Sequence, residues 1–217
     1  MSRIARLLLS KDVLEADVET RVSAEHAALW FAAQSSSSLH VPQQAISAAD
    51  DELSAFEKTA SEYGVQLEGL EDADSFDAGF VVSTQPQTGC TSLQVVAGLD
   101  LDEEPMLLLV TDGSEAAFEA VDFVMSGGFF YDAKVHLLLV VDNEESRESL
   151  EVEVHDQLSR TDFRTLTFGV LVHVEVAAMK DVVARFLEEQ DIDLVVCDKS
   201  IADNVGEVAC SQLIIRE

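Results

Sequence analysis

The sequence predicts an α/β protein, with parallel sheets flanked by helices and laid out as two repeats in one chain. Three observations predict it. Apolar runs of strand length alternate with segments whose apolar residues recur at helical spacing, which is the pattern of βαβ crossovers. That pattern restarts at Met106 after an acidic linker, Leu99–Pro105. Finally, Met106–Ser114 (Met-Leu-Leu-Leu-Val-Thr-Asp-Gly-Ser) is an apolar run followed by Asp, Gly and a good helix N-cap. At such a strand-loop-helix junction an open parallel sheet usually places its ligand.

In the first half, Ile4–Ser10 reads as a short buried strand, followed by Lys11-Asp12. A helix is expected from about Val18 to Ala33, with Val22, His26, Leu29, Trp30 and Ala33 on its inner face. His26 is thereby expected to be a packed core residue. Ser35–Ser38 breaks the helix, and Leu39–Val41 is a brief strand stopped by Pro42. Ser47 reads as the cap of a second helix, with Asp50 as its capping-box partner. Leu53, Phe56, Ala60 and Tyr63 make the stripe of that helix, and Gly64 ends it. Val65–Leu70 and Gly79–Thr84 are strands, and Glu71–Asp77 between them is too short for a crossover helix. Gln85–Thr91 is a turn with Pro86 and Gly89, and Ser92–Gly98 is a further strand.

In the second half, Met106–Thr111 is a buried strand and Asp112-Gly113-Ser114 a turn with a cap. Glu115–Met125 is a helix with Ala117, Phe118, Val121, Val124 and Met125 inward, ended by Ser126-Gly127-Gly128. Lys134–Val141 is a strand. Asn143–Leu158 is a helix by the spacing of Leu150, Val154 and Leu158, although Glu151–Val154 alternates like a strand. Leu166–Val176 is a strand with Phe168, Val170, Val172, Val174 and Val176 on one face. Ala177–Gln190 is a helix with Met179, Val182, Val183, Phe186 and Leu187 inward. Asp193–Cys197 is a strand, Asp198–Cys210 a loop and Ser211–Ile215 a last strand.

Two short matches join the halves. Leu7-Leu8-Leu9-Ser10-Lys11-Asp12 matches Leu107-Leu108-Leu109-Val110-Thr111-Asp112, and residues 77–82 match residues 191–196. Their common order makes duplication the better reading, with domains at 1–99 and 105–217.

Composition narrows the function. With 47% apolar residues in 217, the chain can bury a sizeable core. The net charge is −29, from 42 acidic against 13 basic residues dispersed along the chain, so the acids read as solvated faces. Such a surface repels phosphate backbones and anionic membranes, so no nucleic acid and no membrane surface is expected as a partner. The acidity reads as solubility, or more sharply as adaptation to high salt, and composition alone does not choose. No stretch has the length of a membrane span and the N-terminus lacks a signal pattern. The three cysteines, Cys90, Cys197 and Cys210, form no CxxC pair and fit buried thiols in a reducing interior. A cytoplasmic protein is expected.

Few residues stand out as chemical. Asp112 reads first as a turn residue at a strand end, and Ser114 as a helix N-cap. His173 lies off the apolar face of its strand, beside Glu175; His136 sits inside a strand and His155 beside Asp156 on a helix. Their spacings give no metal constellation. Cys197 and Cys210 flank the last loop, where buried thiols are the default and a redox pair the alternative. No catalytic pattern stands out, so a non-catalytic role is expected.

The second half resembles a universal stress protein domain. Leu107–Ser114 resembles that family's first strand and its Asp-Gly-Ser, and Ala133–Val141 its second strand. Val172–Asp198 resembles the strand-helix-strand that ends in Asp-Leu-Val-Val, so the likeness spans roughly residues 105–198. The first half resembles a decayed copy with its third crossover helix lost. The resemblance implies adenine-nucleotide alpha-hydrolase-like, Rossmann-like repeats packed as a pseudo-dimer along Ser92–Gly98 and Ser211–Ile215, with a further homodimer as an option. It also implies a cofactor site at Asp112, Gly113 and Ser114, with ATP at the carboxyl ends of the strands. In the family a loop of pattern Gly-x-x-Gly, followed further on by Gly-Ser or Gly-Thr, wraps the phosphates. Here Cys197 is followed by Asp-Lys-Ser-Ile-Ala-Asp-Asn-Val-Gly, with one glycine, and Ala177-Ala178 replaces the family's glycine after the third strand. The expectation is therefore that ATP is not bound in the usual way, and no cofactor is assigned. The leading function is stress response or regulation through contacts with an unknown protein partner. The alternatives are a small-molecule or nucleotide sensor using the strand end at Asp112, and a nucleotide-dependent enzyme of the same superfamily.

Overall fold

The computed structural model describes residues 6–47, 51–102, 104–127, 129–141, 143–160, 169–206 and 208–216. The chain divides into two compact units, Arg3–Asp102 and Glu103–Glu217.

The N-terminal unit runs β1 (Leu7–Leu9), α1 (Lys11–Glu15), α2 (Val18–Ser35), β2 (Leu39–Pro42), α3 (Gln44–Ser47), α4 (Asp51–Tyr63), β3 (Leu67–Leu70), β4 (Phe80–Ser83) and β5 (Thr91–Gln94). Its strands are all parallel, in the order β3-β2-β1-β4-β5. β1 is buried at every position, as a strand covered on both faces must be. Asp17 starts α2, its carboxylate accepting from the Thr20 N–H at 3.0 Å. Ser36 ends the helix in the left-handed region at φ 53°.

The buried face of α2 is wider than expected and shifted at its start. Leu29 and Trp30 are buried as expected, and Ala24, Ala27, Ala28 and Phe31 are buried beside them, whereas Val22 and His26 are exposed. Small side chains let the helix approach the sheet while Phe31 fills the remaining gap, 4.8 Å from the ring of Phe80. His26 instead meets the edge of Tyr63 at 6.4 Å.

Ser47 does not cap the second long helix. It closes the short helix α3, and α4 begins at Asp51; Asp50 lies outside the described residues. Gly64 does end α4, at φ 70°. No helix joins β3 to β4, all of whose connecting residues, 71–79, are described. The strand expected over Ser92–Gly98 is instead Thr91–Gln94.

The C-terminal unit runs β6 (Met106–Thr111), α5 (Glu115–Gly127), β7 (Lys134–Val141), α6 (Glu144–Arg160), β8 (Val170–Val176), α7 (Met179–Glu189), β9 (Leu194–Asp198), α8 (Lys199–Val205) and β10 (Ser211–Ile215). The parallel order is β10-β9-β6-β7-β8. Each unit therefore has its first strand in the middle, its second and third on one side, and its fourth and fifth on the other. Leu108, Leu138, Val182, Val183, Phe186 and Ile201 form the core on the α7 and α8 side of the sheet. Asn143 caps α6, its side chain accepting from the Ser146 N–H at 2.9 Å. The beginning of the strand expected from Leu166, including Phe168, lies outside the described residues. No helix among the described residues is long and apolar enough to cross a membrane.

The segment Asp198–Cys210, expected as a loop, contains helix α8. Asp198 caps it, one carboxylate oxygen accepting from the N–H groups of Ser200 and Ile201 at 2.6 and 3.1 Å. Ile201, Ala202 and Val205 are buried beneath it. Removing that acceptor by Asp198→Ala is expected to cost about 1–2 kcal/mol, read as a lowered urea midpoint at unchanged slope. A variant as stable as the parent would contradict the capping role.

Register separates the thiols. Cys197 lies opposite Ile214 near the carboxyl end of β9, while Cys210 precedes the start of β10, so the two do not form a redox pair. Burial raises the Cys197 thiol to about 12 and the Cys210 thiol to about 11, which leaves both protonated at neutral pH.

Candidate functional site

The carboxyl end of β6 opens into a cleft of about 450 Å³. Asp112, Val140 and Val141 at the end of β7, and Ala177 to Lys180 where β8 passes into α7, line it. Leu150 of α6 and Asn204 of α8 contribute walls.

The three residues Asp112, Gly113 and Ser114 build the turn between β6 and α5. The Asp112 carboxylate accepts from the Ser114 N–H at 2.9 Å, and the Thr111 hydroxyl accepts from the Gly113 N–H at 3.1 Å. The Ser114 hydroxyl accepts from the Ala117 N–H at 3.3 Å, which makes it the N-cap of α5. Gly113 is required twice over. Its φ of 85° is in the left-handed region, and a Cβ there would lie 2.5 Å from Leu150 Cδ2. Gly113 thus sets how close α6 comes to the cleft.

The start of α7 lines the same cleft as Asp112. Its N-cap, Ala178, offers no side-chain hydrogen bond to the first turn, and the exposed Lys180 sits in that turn. N–H groups at a helix start and an ammonium both favour an anion. A carboxylate on one side and these donors on the other suit a small molecule with hydroxyl or amine donors at one end and a compact anionic group at the other.

A triphosphate is less well served. α8 begins directly after β9, leaving no glycine-rich loop, and Gly206 comes only at the end of α8. Lys199 is salt-bridged to Asp203 on the same helix. The N-terminal unit treats the corresponding Asp12 differently. One of its oxygens accepts from both the N–H and the hydroxyl of Thr84, at 2.6 and 2.7 Å, tying the segment after β1 to the end of β4.

Sequence spacing did not reveal that His136 and His173 meet. They sit on neighbouring strands, with His173 Nε2 3.2 Å from His136 Nδ1. Both carry helix α7 on their outer side through Phe186. His155 is exposed on α6. Among the described residues no group of three His, Cys, Asp or Glu side chains is arranged to hold a metal ion.

No family model and no curated protein matches the sequence. Solved structures do. An open parallel sheet flanked by helices, with its crevice at the carboxyl ends of the strands, defines the class as an open α/β fold. Within that class the fold is that of universal stress proteins. One from Archaeoglobus fulgidus superposes with a TM-score of 0.64 at 11% identity, covering 100% of this chain and 99% of that one. A universal stress protein in complex with cAMP aligns at 20% identity with 52% of this chain and 96% of its own, at a TM-score of 0.42.

Proposed function

We propose that the chain is a regulatory, ligand-sensing protein of the universal stress type. The C-terminal unit takes a small molecule of the nucleoside or nucleoside monophosphate class in the cleft between Asp112 and the start of α7. The observation that carries this reading is the cleft itself, lined by the polar Asp112, Ser146, Lys180 and Asn204 together with the apolar Val140, Val141 and Leu150. ATP held by a glycine loop is not part of it, because α8 follows β9 without a loop. The role is binding and not catalysis, and the output is regulation through a protein partner that reads the ligand state.

The two units are, in the same proposal, copies of one ancestral repeat, the first of them decayed. Register supports this. Leu7 pairs with Phe80 as Leu107 pairs with Leu194, in step with both short sequence matches. Leu8 pairs with His40 as Leu108 pairs with His136, which adds a third correspondence.

Thermal unfolding against adenosine, AMP, cAMP and ATP, at low and high salt, tests the function. A ligand at a hundred times its Kd is expected to raise Tm by roughly 5–10 °C. The Asp112→Ala variant also loses the turn bond to the Ser114 N–H, so its shift is read against its own ligand-free Tm, and that shift is expected to vanish. ATP as the best ligand, a shift that survives in Asp112→Ala, or turnover of the bound nucleotide would each overturn the reading.

A further inference from the structure

We propose that His136 and His173 form a proton-sharing pair that sets the packing of α7 and, through α7, the shape of the cleft. Only the last step rests on the reading of the cleft as a ligand site.

Parallel register brings the two together. His136 on β7 lies opposite Leu171 on β8, and Leu138 lies opposite His173, so the histidines are diagonal neighbours on one face. Their ring planes differ by 8° and their centroids are 5.2 Å apart, yet the two nitrogens are 3.2 Å apart. Rings stacked face to face would not bring one nitrogen of each so much closer than the centroids. The rings lie side by side and share one N–H···N hydrogen bond. Phe186 of α7 closes over both, edge-on, with centroids 6.3 Å from His136 and 5.0 Å from His173. His136 is 8% exposed.

Such a pair has three protonation states. The neutral pair has one donor and one acceptor between the facing nitrogens. One added proton leaves an imidazolium donating to an imidazole, and the bond persists. A second proton removes the acceptor and sets two cations side by side beneath Phe186. The surrounding charges do not relieve this. On the same face of β7, Lys134 is paired with Glu104 at 3.2 Å. On β8, Glu175 is held at 2.8 Å by Arg185, the charged residue that α7 places against this strand. The β6 partner of His136 is Leu108, and α7 otherwise presents Val182, Val183 and Phe186 to the core.

Burial, and then the neighbouring His173, holds His136 below its ordinary value of 6.5. The unfolded chain therefore binds this proton first as the solution is acidified. The stability contributed by the pair is full above about 6.5 and is lost as pH falls from there toward the folded value. Because Met179 and Lys180 at the start of α7 line the cleft, loosening α7 also alters the cleft.

The test uses the full chain without ligand. Ring titration by NMR is expected to place the His136 step below the ordinary histidine value. In His173→Gln the His136 step is expected to move upward, and His136→Gln serves as the reciprocal variant. Amide protection factors, from which the intrinsic pH dependence of exchange is removed, are expected to fall about tenfold in residues 179–189 across the His136 step, while those of β1 and β4 stay unchanged. A His136 step at the ordinary value, unmoved by His173→Gln, would overturn the proposal. So would unchanged protection in α7, or an equal loss of protection in the N-terminal unit, which would mean global acid unfolding. A negative nucleotide panel would sink the ligand reading and leave these titrations intact.

Discussion

Phe186→Ala is expected to destabilise the C-terminal unit by about 3–5 kcal/mol, among the largest effects of any single truncation in the chain. Phe186 is 7% exposed and belongs to the cluster in which α7 and α8 pack on the sheet. The loss has two parts, the transfer of the ring's apolar area and the cavity left behind, because the sheet beneath is too rigid to collapse. The vacated space also lies over His136 and His173, so water gains access to two imidazoles and their shared bond weakens. Urea unfolding followed by signals of the C-terminal unit measures it. A loss below about 1 kcal/mol would mean that α7 carries little of the core's stability.

The second large effect is expected at Gly113. Gly113→Val combines two costs that do not share a remedy. A β-branched residue at φ 85° is strained by about 1–2 kcal/mol or more, whatever the space around it. Its Cβ would also meet Leu150 Cδ2 at 2.5 Å, and displacing a packed leucine adds about 1–3 kcal/mol. The sum is about 2–5 kcal/mol. Leu150 lines the cleft, so any ligand shift in Tm is expected to fall along with the stability. Pairing Gly113→Val with Leu150→Ala separates the costs: the truncation makes room for the valine, yet φ stays unfavourable. Full recovery in the double variant would show that crowding alone was responsible.

The legible parts of the fold are those with one physical solution. β6, β7 and β10 coincide with their expected bounds because a buried parallel strand is a continuous apolar run, cut off by polar or turn residues. The turn at Asp112-Gly113-Ser114 was legible for the same reason, since Asp, Gly and Ser each have a distinct use there. Helix α2 buries Leu29 and Trp30 as expected, but Ala24, Ala27 and Ala28 carry too little apolar area to mark themselves as inward, so the width of its buried face was not legible. α8 was hidden by its brevity, since Ile201, Ala202 and Val205 make too short a stripe to stand against a polar background. The histidine pair was least accessible. Its existence depends on which strands are neighbours and on their offset, and neither is written in local spacing. The same holds for the far walls of the cleft, Leu150 and Asn204, which only the fold brings to Asp112.

The bond from Thr84 to Asp12 has a consequence for the division of labour within the chain. In the N-terminal unit the strand ends of β1 and β4 are closed on each other by this bond. The C-terminal unit has a cleft at the end of its first strand instead. Two units with the same strand order thus differ in what stands at their strand ends, a hydrogen-bonded junction in one and open space in the other.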